Sequence, residues 1–293
     1  MATPFSPDRL VSILRAEGVK VVEYGSWRTH NRNHKGPFGP INGVMIHHTV
    51  SSGTDSSVSL CYDGYAELPG PLCHGVIAKD GTVYLISSGR TNHAGGGDEH
   101  VLDAVIAEQS LPATHEHEGS GGAVDGNMHF YGFECVNLGN GADPWPDAQL
   151  DAIERAAAAI CRAYGWSSAS VIGHKDWSDW KSDPRGFSMT TMRERIARRL
   201  GTDPGRPVPQ PTYEPFPGVD FFRSYPQSPI VTAMGRRLVA EGCSAYREGP
   251  DPQWTGADVQ SYAKWQRKIG YSGGAADGWP GRKSWDALKV PRS

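Results

Sequence analysis

The stretch VIGHKDWSDWKSDPRG, residues 171–186, gathers His174, Lys181 and Asp183 beside a proline turn. An imidazole, an ammonium and a carboxylate are more than a solvated loop needs. A second source of imidazole is GVMIHHTV, residues 43–50, where strand alternation turns only one of His47 and His48 toward a given site; parity alone does not choose between them. Two imidazoles and a carboxylate, with a position left open for water, are what a catalytic zinc site requires. Glu134, in HFYGFECVNL, shares a strand face with Phe130, Gly132 and Val136. A lone carboxylate in an apolar row is desolvated, which raises its pKa toward the range of a general base working near neutral pH. The competing reading is a structural ion pair with an arginine. His74 opens the next hairpin, and His93 lies in TNHAGGG, whose glycines let backbone approach a ligand. His115 and His117, in THEHEG, have metal-like spacing but read as ordinary residues of a flexible loop.

All eleven histidines fall between positions 30 and 174, so zinc or acid/base chemistry belongs to the first part of the chain. The elements that must position them alternate. GVMIHHTV is a short apolar run of the kind buried on both faces of a sheet, and CHGVIAKDGTVYLIS, residues 73–87, reads as a hairpin turning at Lys79-Asp80-Gly81. HFYGFECVNL and SVIGH are two further strands. Helices are predicted near the N-terminus, with Ser6 as N-cap and Pro7 at the first helical position, over 143–165 ending at Gly165, and over 188–201. The Gly-rich, acidic region 95–127 reads as a long loop with a short helix near 101–109. Strands alternating with helices predict an α/β fold, a mixed central sheet covered by helices.

Residues 201–218 carry six prolines and little apolar periodicity, a semi-rigid linker. The predicted organisation is a catalytic domain over 1–201, a linker over 202–217 and a small, mostly helical domain over 218–293. Basic residues number 18 against 25 acidic before position 218, and 11 against 7 from there on. The whole chain, at net −3, is therefore no candidate for generic nucleic-acid binding, while the C-terminal part leans toward anionic surfaces. No apolar run approaches the roughly 20 residues of a membrane span, and the start lacks the basic and apolar regions of a signal peptide. Five cysteines lack any C-x-x-C pair and are read as reduced thiols, with a Cys61–Cys73 bridge the one pairing the loop between them would permit.

The motifs VMIHHTV, CHGVIAKDGTVYLI, NHAG, FYGFECVN and IGHKDWSDWKSDP, in that order over about residues 40–200, resemble the type 2 zinc-dependent N-acetylmuramoyl-L-alanine amidases, a family related to peptidoglycan recognition proteins. Their wording is most similar to endolysins of phages that infect actinobacteria. The resemblance implies the zinc amidase fold, His47, His174 and Asp183 as zinc ligands, Glu134 as the catalytic acid/base and Lys181 as the oxyanion-stabilising cation. It places His74, His93 and Cys73 at the substrate, which is peptidoglycan. Cys73 departs from the family pattern, since many members carry tyrosine there and a thiol lacks the reach of a phenol. C-terminal residues WQRKIGY and ADGWPGRKSWDAL resemble helical peptidoglycan-binding domains, with Trp254, Trp265 and Trp279 as aromatics available to sugars and Trp285 as core. The resemblance thus implies a monomeric phage endolysin that cleaves the muramoyl–L-alanine amide, accumulates in a host cytoplasm and reaches the wall through a membrane lesion. The alternatives are a non-catalytic peptidoglycan-binding protein and a zinc peptidase cutting within the stem peptide.

Overall fold

The computed structural model describes residues 2–206 and 213–292, so the middle of the expected linker, 207–212, lies outside the described residues. The chain divides into two compact units, Met1–Val208 and Pro209–Ser293.

The first unit holds all the strands found among the described residues: β1 (Lys20–Glu23), β2 (Gly43–His48), β3 (Gly64–Tyr65), β4 (Leu68–Pro69), β5 (Gly75–Ile77), β6 (Thr82–Leu85), β7 (Gly96–Asp98), β8 (Ala123–Asp125), β9 (Phe130–Cys135) and β10 (Val171–Gly173). Six of them form the central sheet in the order β1-β6-β5-β9-β2-β10. Within it the β5–β6 hairpin pair is antiparallel and every other neighbour runs parallel. A parallel centre must be covered on both faces, which is why all six residues of β2 are buried.

The helices of this unit are α1 (Pro7–Ala16), α2 (Thr54–Asp63), α3 (Glu99–Ile106), α4 (Gly126–His129), α5 (Asp147–Tyr164), α6 (His174–Trp177) and α7 (Met189–Leu200). The Ser6 hydroxyl accepts from the Arg9 N–H, and α5 ends on Gly165 in the left-handed conformation, as their residue types require. Val44, Ile46, Phe133 and Cys135 share one core with apolar residues of α1, α5 and α7. Strand alternation turns the intervening residues to the opposite face. There Met45, Phe130 and Ile172 pack with Val101, Val105 and Trp177, while Val76 and Val136 pack with Val58, Cys61 and Leu72. His47 and Glu134 lie on that second face between two apolar clusters.

Region 95–127 is more ordered than its composition predicts. β7 and β8 pair antiparallel around α3, with register Gly96↔Asp125. Glycine has no β-propensity, but Gly97 of β7 and Gly126, which follows β8, lie so close to the Trp177 indole that an added Cβ would stand 2.3 and 2.8 Å from its ring.

The second unit contains α8 (Val219–Arg223), α9 (Pro229–Ala240), α10 (Gly256–Lys268) and α11 (Arg282–Leu288) around a core of Phe222, Val231, Met234, Trp254, Tyr262, Trp265 and Trp285. Two sequence expectations are corrected here. Trp254 and Trp265 are 1% and 5% exposed, so their rings fill this core and are not available to a sugar. Phe216 also belongs to the core, and the Glu214 carbonyl accepts from the Trp285 indole N–H at 2.8 Å. Residues 213–216, expected in the linker, are therefore part of the unit. All five cysteines are free and buried, so Cys61 and Cys73 are not bridged. Among the described residues no helix is long and apolar enough to cross a membrane.

Candidate metal centre and its surroundings

Three parallel strands, β9, β2 and β10, lie side by side and end at the same edge. Loops leave a parallel sheet at this edge and ligands collect there. β2 ends with His47 and His48; β10 runs directly into α6, whose first residue is His174. The chain then returns so that the Asp183 carbonyl accepts from the Lys175 N–H at 2.8 Å, which fixes the Asp183 backbone beside His174. Register pairs His47 with Glu134, and partners in a parallel ladder point to the same face. This pairing resolves the choice that parity leaves open: His47 faces the site, and His48 takes the Arg185 N–H on its Nδ1 at 3.2 Å.

His47 Nδ1, His174 Nδ1 and Asp183 Oδ2 form a triangle with sides of 3.0, 3.1 and 3.2 Å. The partners of the other ring nitrogens decide where the hydrogens are. His174 Nε2 lies 3.1 Å from the Ala94 carbonyl, which only accepts, so Nε2 carries the hydrogen and Nδ1 is a bare lone pair. His93 Nε2 likewise donates to the Phe130 carbonyl at 3.1 Å, leaving its Nδ1 to accept the His47 Nε2 hydrogen at 2.9 Å. His47 Nδ1 is then bare as well. Burial, reinforced by His174, holds the His47 pKa down at about 4 against the pull of Asp183, so the ring is neutral at pH 7. Burial works to raise the Asp183 carboxyl, yet its pKa lies below the usual carboxylate range, so the group is ionised. Three acceptors thus converge with no hydrogen between them, an arrangement that a cation satisfies. Ligands at tetrahedral zinc stand roughly 3.3 Å apart, so the donor set fits that ion. Among the described residues His47, His174 and Asp183 are the group of this kind; His115 and His117 are not part of it.

Glu134 is partly exposed as a residue, but its Oε2 is closed off and has no hydrogen-bond partner among the described residues. Burial, with Cys61 and Asp183 nearby, pushes its carboxyl well above the ordinary value, and Lys181 pulls the other way. Among the described residues no arginine bonds to that oxygen, so the ion-pair reading of Glu134 does not hold. Lys181 is exposed and lines a cavity of about 840 Å³ together with His93, His174 and Trp180. The Arg90–Asp125 ion pair, 2.5 Å apart, lines the same cavity.

Two expected substrate contacts are corrected. His74 is fully buried, donates from Nε2 to the Gly89 carbonyl at 2.8 Å and accepts the Gly132 N–H on Nδ1 at 2.9 Å. With both nitrogens engaged by backbone, it ties β5 to β9 and has nothing to offer a ligand. Cys73 is also fully buried; its Sγ lies 3.3 Å from the Gly75 carbonyl in the cluster with Val58 and Cys61. His93, the third, does line the cavity, yet both of its nitrogens are committed, one to His47 and one to the Phe130 carbonyl. Asn127 carries no signal in the sequence. Its Oδ1 accepts from the His93 and Ala94 N–H groups at 2.8 and 2.9 Å, so it holds the NHAG loop that supplies both partners of the histidine ligands. Neither spacing nor composition marks it.

A family model described as N-acetylmuramoyl-L-alanine amidase matches residues 37–186. Among solved structures the chain is similar to the endolysin N-acetylmuramoyl-L-alanine amidase LysCS from Clostridium intestinale, at 17% identity over 60% of this chain and 95% of that one, with a TM-score of 0.39. It is similar to the amidase AmiD from E. coli, solved with anhydro-N-acetylmuramic acid-L-Ala-D-gamma-Glu-L-Lys, at 16% identity over 87% and 89% of the two chains and a TM-score of 0.39. A mutant endolysin from Bacillus subtilis is 16% identical over 61% of this chain and 99% of its own, with a TM-score of 0.41. No curated protein sequence matches.

Proposed function

From the premise that this chain belongs to the N-acetylmuramoyl-L-alanine amidase family and is a peptidoglycan amidase, we propose that it works as a zinc hydrolase with Glu134 as its acid/base. The observation that carries this reading is the convergence of three hydrogen-free acceptors, His47, His174 and Asp183, beside a desolvated carboxylate. A zinc ion held there supplies Lewis acidity, lowering the pKa of a water and polarising a carbonyl.

The chain's own residues do the rest. His93 and Ala94 orient the two imidazoles. The Glu134 carboxylate, whose raised pKa makes it a competent base, takes a proton from the water that attacks the lactyl carbonyl of muramic acid. The Lys181 ammonium, exposed on the cavity wall, offsets the negative charge that grows on the carbonyl oxygen. Glu134 then delivers its proton to the departing L-alanine nitrogen, so that the C–N bond breaks to a carboxylate and a free amine and the base is regenerated.

The test is digestion of purified peptidoglycan by zinc-loaded and by chelated protein, with products identified by mass spectrometry. Zinc-dependent release of stem peptides that begin with a free L-alanine amine is expected; cleavage within the stem peptide would make this a peptidase instead, and intact linkages in both samples would remove the enzyme reading.

The same proposal extends to the molecule's setting. The wording of the five motifs supports a phage endolysin, with the second unit binding the cell wall and the enzyme passing from host cytoplasm to wall once the membrane is breached. Secretion of the unmodified chain by cells with intact membranes would overturn that setting.

A further inference from the structure

Trp180 is 68% exposed, although it sits on the wall of the cavity that also contains His174 and Lys181. A large aromatic left in water beside a reaction centre calls for a reason. One of its faces is covered: the His117 imidazole stacks on it at 3.6 Å and an interplanar angle of 13°. The stack is braced from several directions. Asp179 Oδ1 is 2.8 Å from His117 Nδ1, and the Ser120 hydroxyl accepts from the His117 N–H at 2.9 Å. The Asp179 N–H donates to the Glu116 carbonyl at 3.2 Å, and the Thr114 hydroxyl to the Trp177 carbonyl at 3.1 Å. The loop around 114–120 is thus stitched to the segment that comes after α6. With one indole face against His117, the exposure belongs to the other, a flat surface held at a fixed orientation next to Lys181.

We propose that Trp180, backed by His117, is a stacking platform for a pyranose ring of the glycan strand. A pyranose presents a face of C–H groups with a slight positive charge, which suits the negative face of an indole, and a rim of hydroxyls that stays solvated. The position fits as well. This inference rests on the amidase reading: the muramic acid ring hangs from the same lactyl carbonyl that Lys181 addresses, and Trp180 is the residue before Lys181. Arg90 and Asp125, which also line the cavity, carry charges that a stem peptide with its carboxylates and amines would meet. The cavity thus has an aromatic surface for the sugar and charges for the peptide.

The experiment titrates the full-length, isotopically labelled protein with the peptide-free disaccharide N-acetylglucosaminyl-N-acetylmuramic acid and, separately, with the peptide L-Ala-D-gamma-Glu-L-Lys. The Trp180 indole N–H signal, identified by its loss in Trp180→Phe, is expected to shift saturably with the disaccharide and to stay in place with the peptide. A shift with the peptide alone, or with neither, overturns the proposal. In turnover of a disaccharide–peptide substrate, Trp180→Ala is expected to raise KM about tenfold with kcat within about twofold, Trp180→Phe to keep most of the affinity, and His117→Ala to give a smaller rise. An equal loss on a lactyl-peptide that lacks the sugar would also overturn it. If the parent protein cleaves nothing, the amidase reading fails on its own, and the indole titration still decides the platform.

Discussion

His93 never reaches the ligand triangle, yet its Nδ1 takes the Nε2 hydrogen of His47 at 2.9 Å and so decides which His47 nitrogen is bare. A side chain that accepts at the same point should preserve this; one that cannot should let the His47 ring rotate or change tautomer. His93→Asn, whose amide oxygen stands near the place of Nδ1, is expected to hold zinc almost as well as the parent. His93→Leu is expected to lose about 10- to 100-fold in affinity, measured by competition with a chromophoric chelator. Equal affinities for the two variants would show that the relay is ornamental. For Glu134 the sign of the pH effect comes from its role: the carboxylate form takes the proton, so activity rises as pH rises through its pKa. Since burial raises that pKa, the acid limb of kcat/KM should lie above the ordinary value of 4.5, with metal content checked at each pH. Glu134→Gln should retain zinc and lose turnover. These roles are legible in the sequence only in part. Glu134 stands out because its row is apolar, but His47 and His48 are equivalent on paper until a partner strand supplies Glu134 as a register mate.

At the level of elements, the periodic segments are readable and the aperiodic ones are not. The hairpin at 79–81, the capped α1 and the long α5 arise from patterns within a single window. The β7–β8 pair does not, because its Gly97 is selected by the distant indole of Trp177 rather than by strand propensity. His74 misleads for a similar reason. Its partners, Gly89 and Gly132, are backbone groups on other segments, invisible to any motif. Its burial has a consequence for acid stability. The His74 pKa is held down from 6.5 to about 3 by burial, against its two backbone hydrogen bonds, so the unfolded chain binds a proton that the folded one refuses. That contribution is complete above about pH 6.5 and is lost as pH falls toward 3, on the order of 5 kcal/mol in all. Thermal melts should therefore shift downward across this window. His74→Gln, less stable at pH 7, should show a shallower decline; an unchanged slope would assign the acid sensitivity to other groups.

For the molecule as a whole, the two units have separate cores, and Phe216 and Glu214 place the start of the second earlier than proline content suggests. Proline marks where a chain cannot be regular, not where a core begins. A chain ending at residue 206 should fold, cleave soluble muropeptides at the parental rate and pellet less with cell walls; undiminished pelleting would deny the second unit its proposed wall-binding role. One consequence of the ligand triangle reaches the whole first unit. His47 and His174 are 127 residues apart in sequence, and without a cation their lone pairs and the Asp183 carboxylate face one another at about 3 Å with nothing to reconcile them. On the zinc reading proposed above, the ion would be a fastener as well as a reagent, clasping the ends of two strands whose lone pairs otherwise face one another. Its occupancy adds about 2.7 kcal/mol once free zinc reaches a hundred times the dissociation constant. Melting temperature read against buffered zinc should climb accordingly, and in zinc-starved surroundings the enzyme would come undone at its sheet edge before it ran out of substrate.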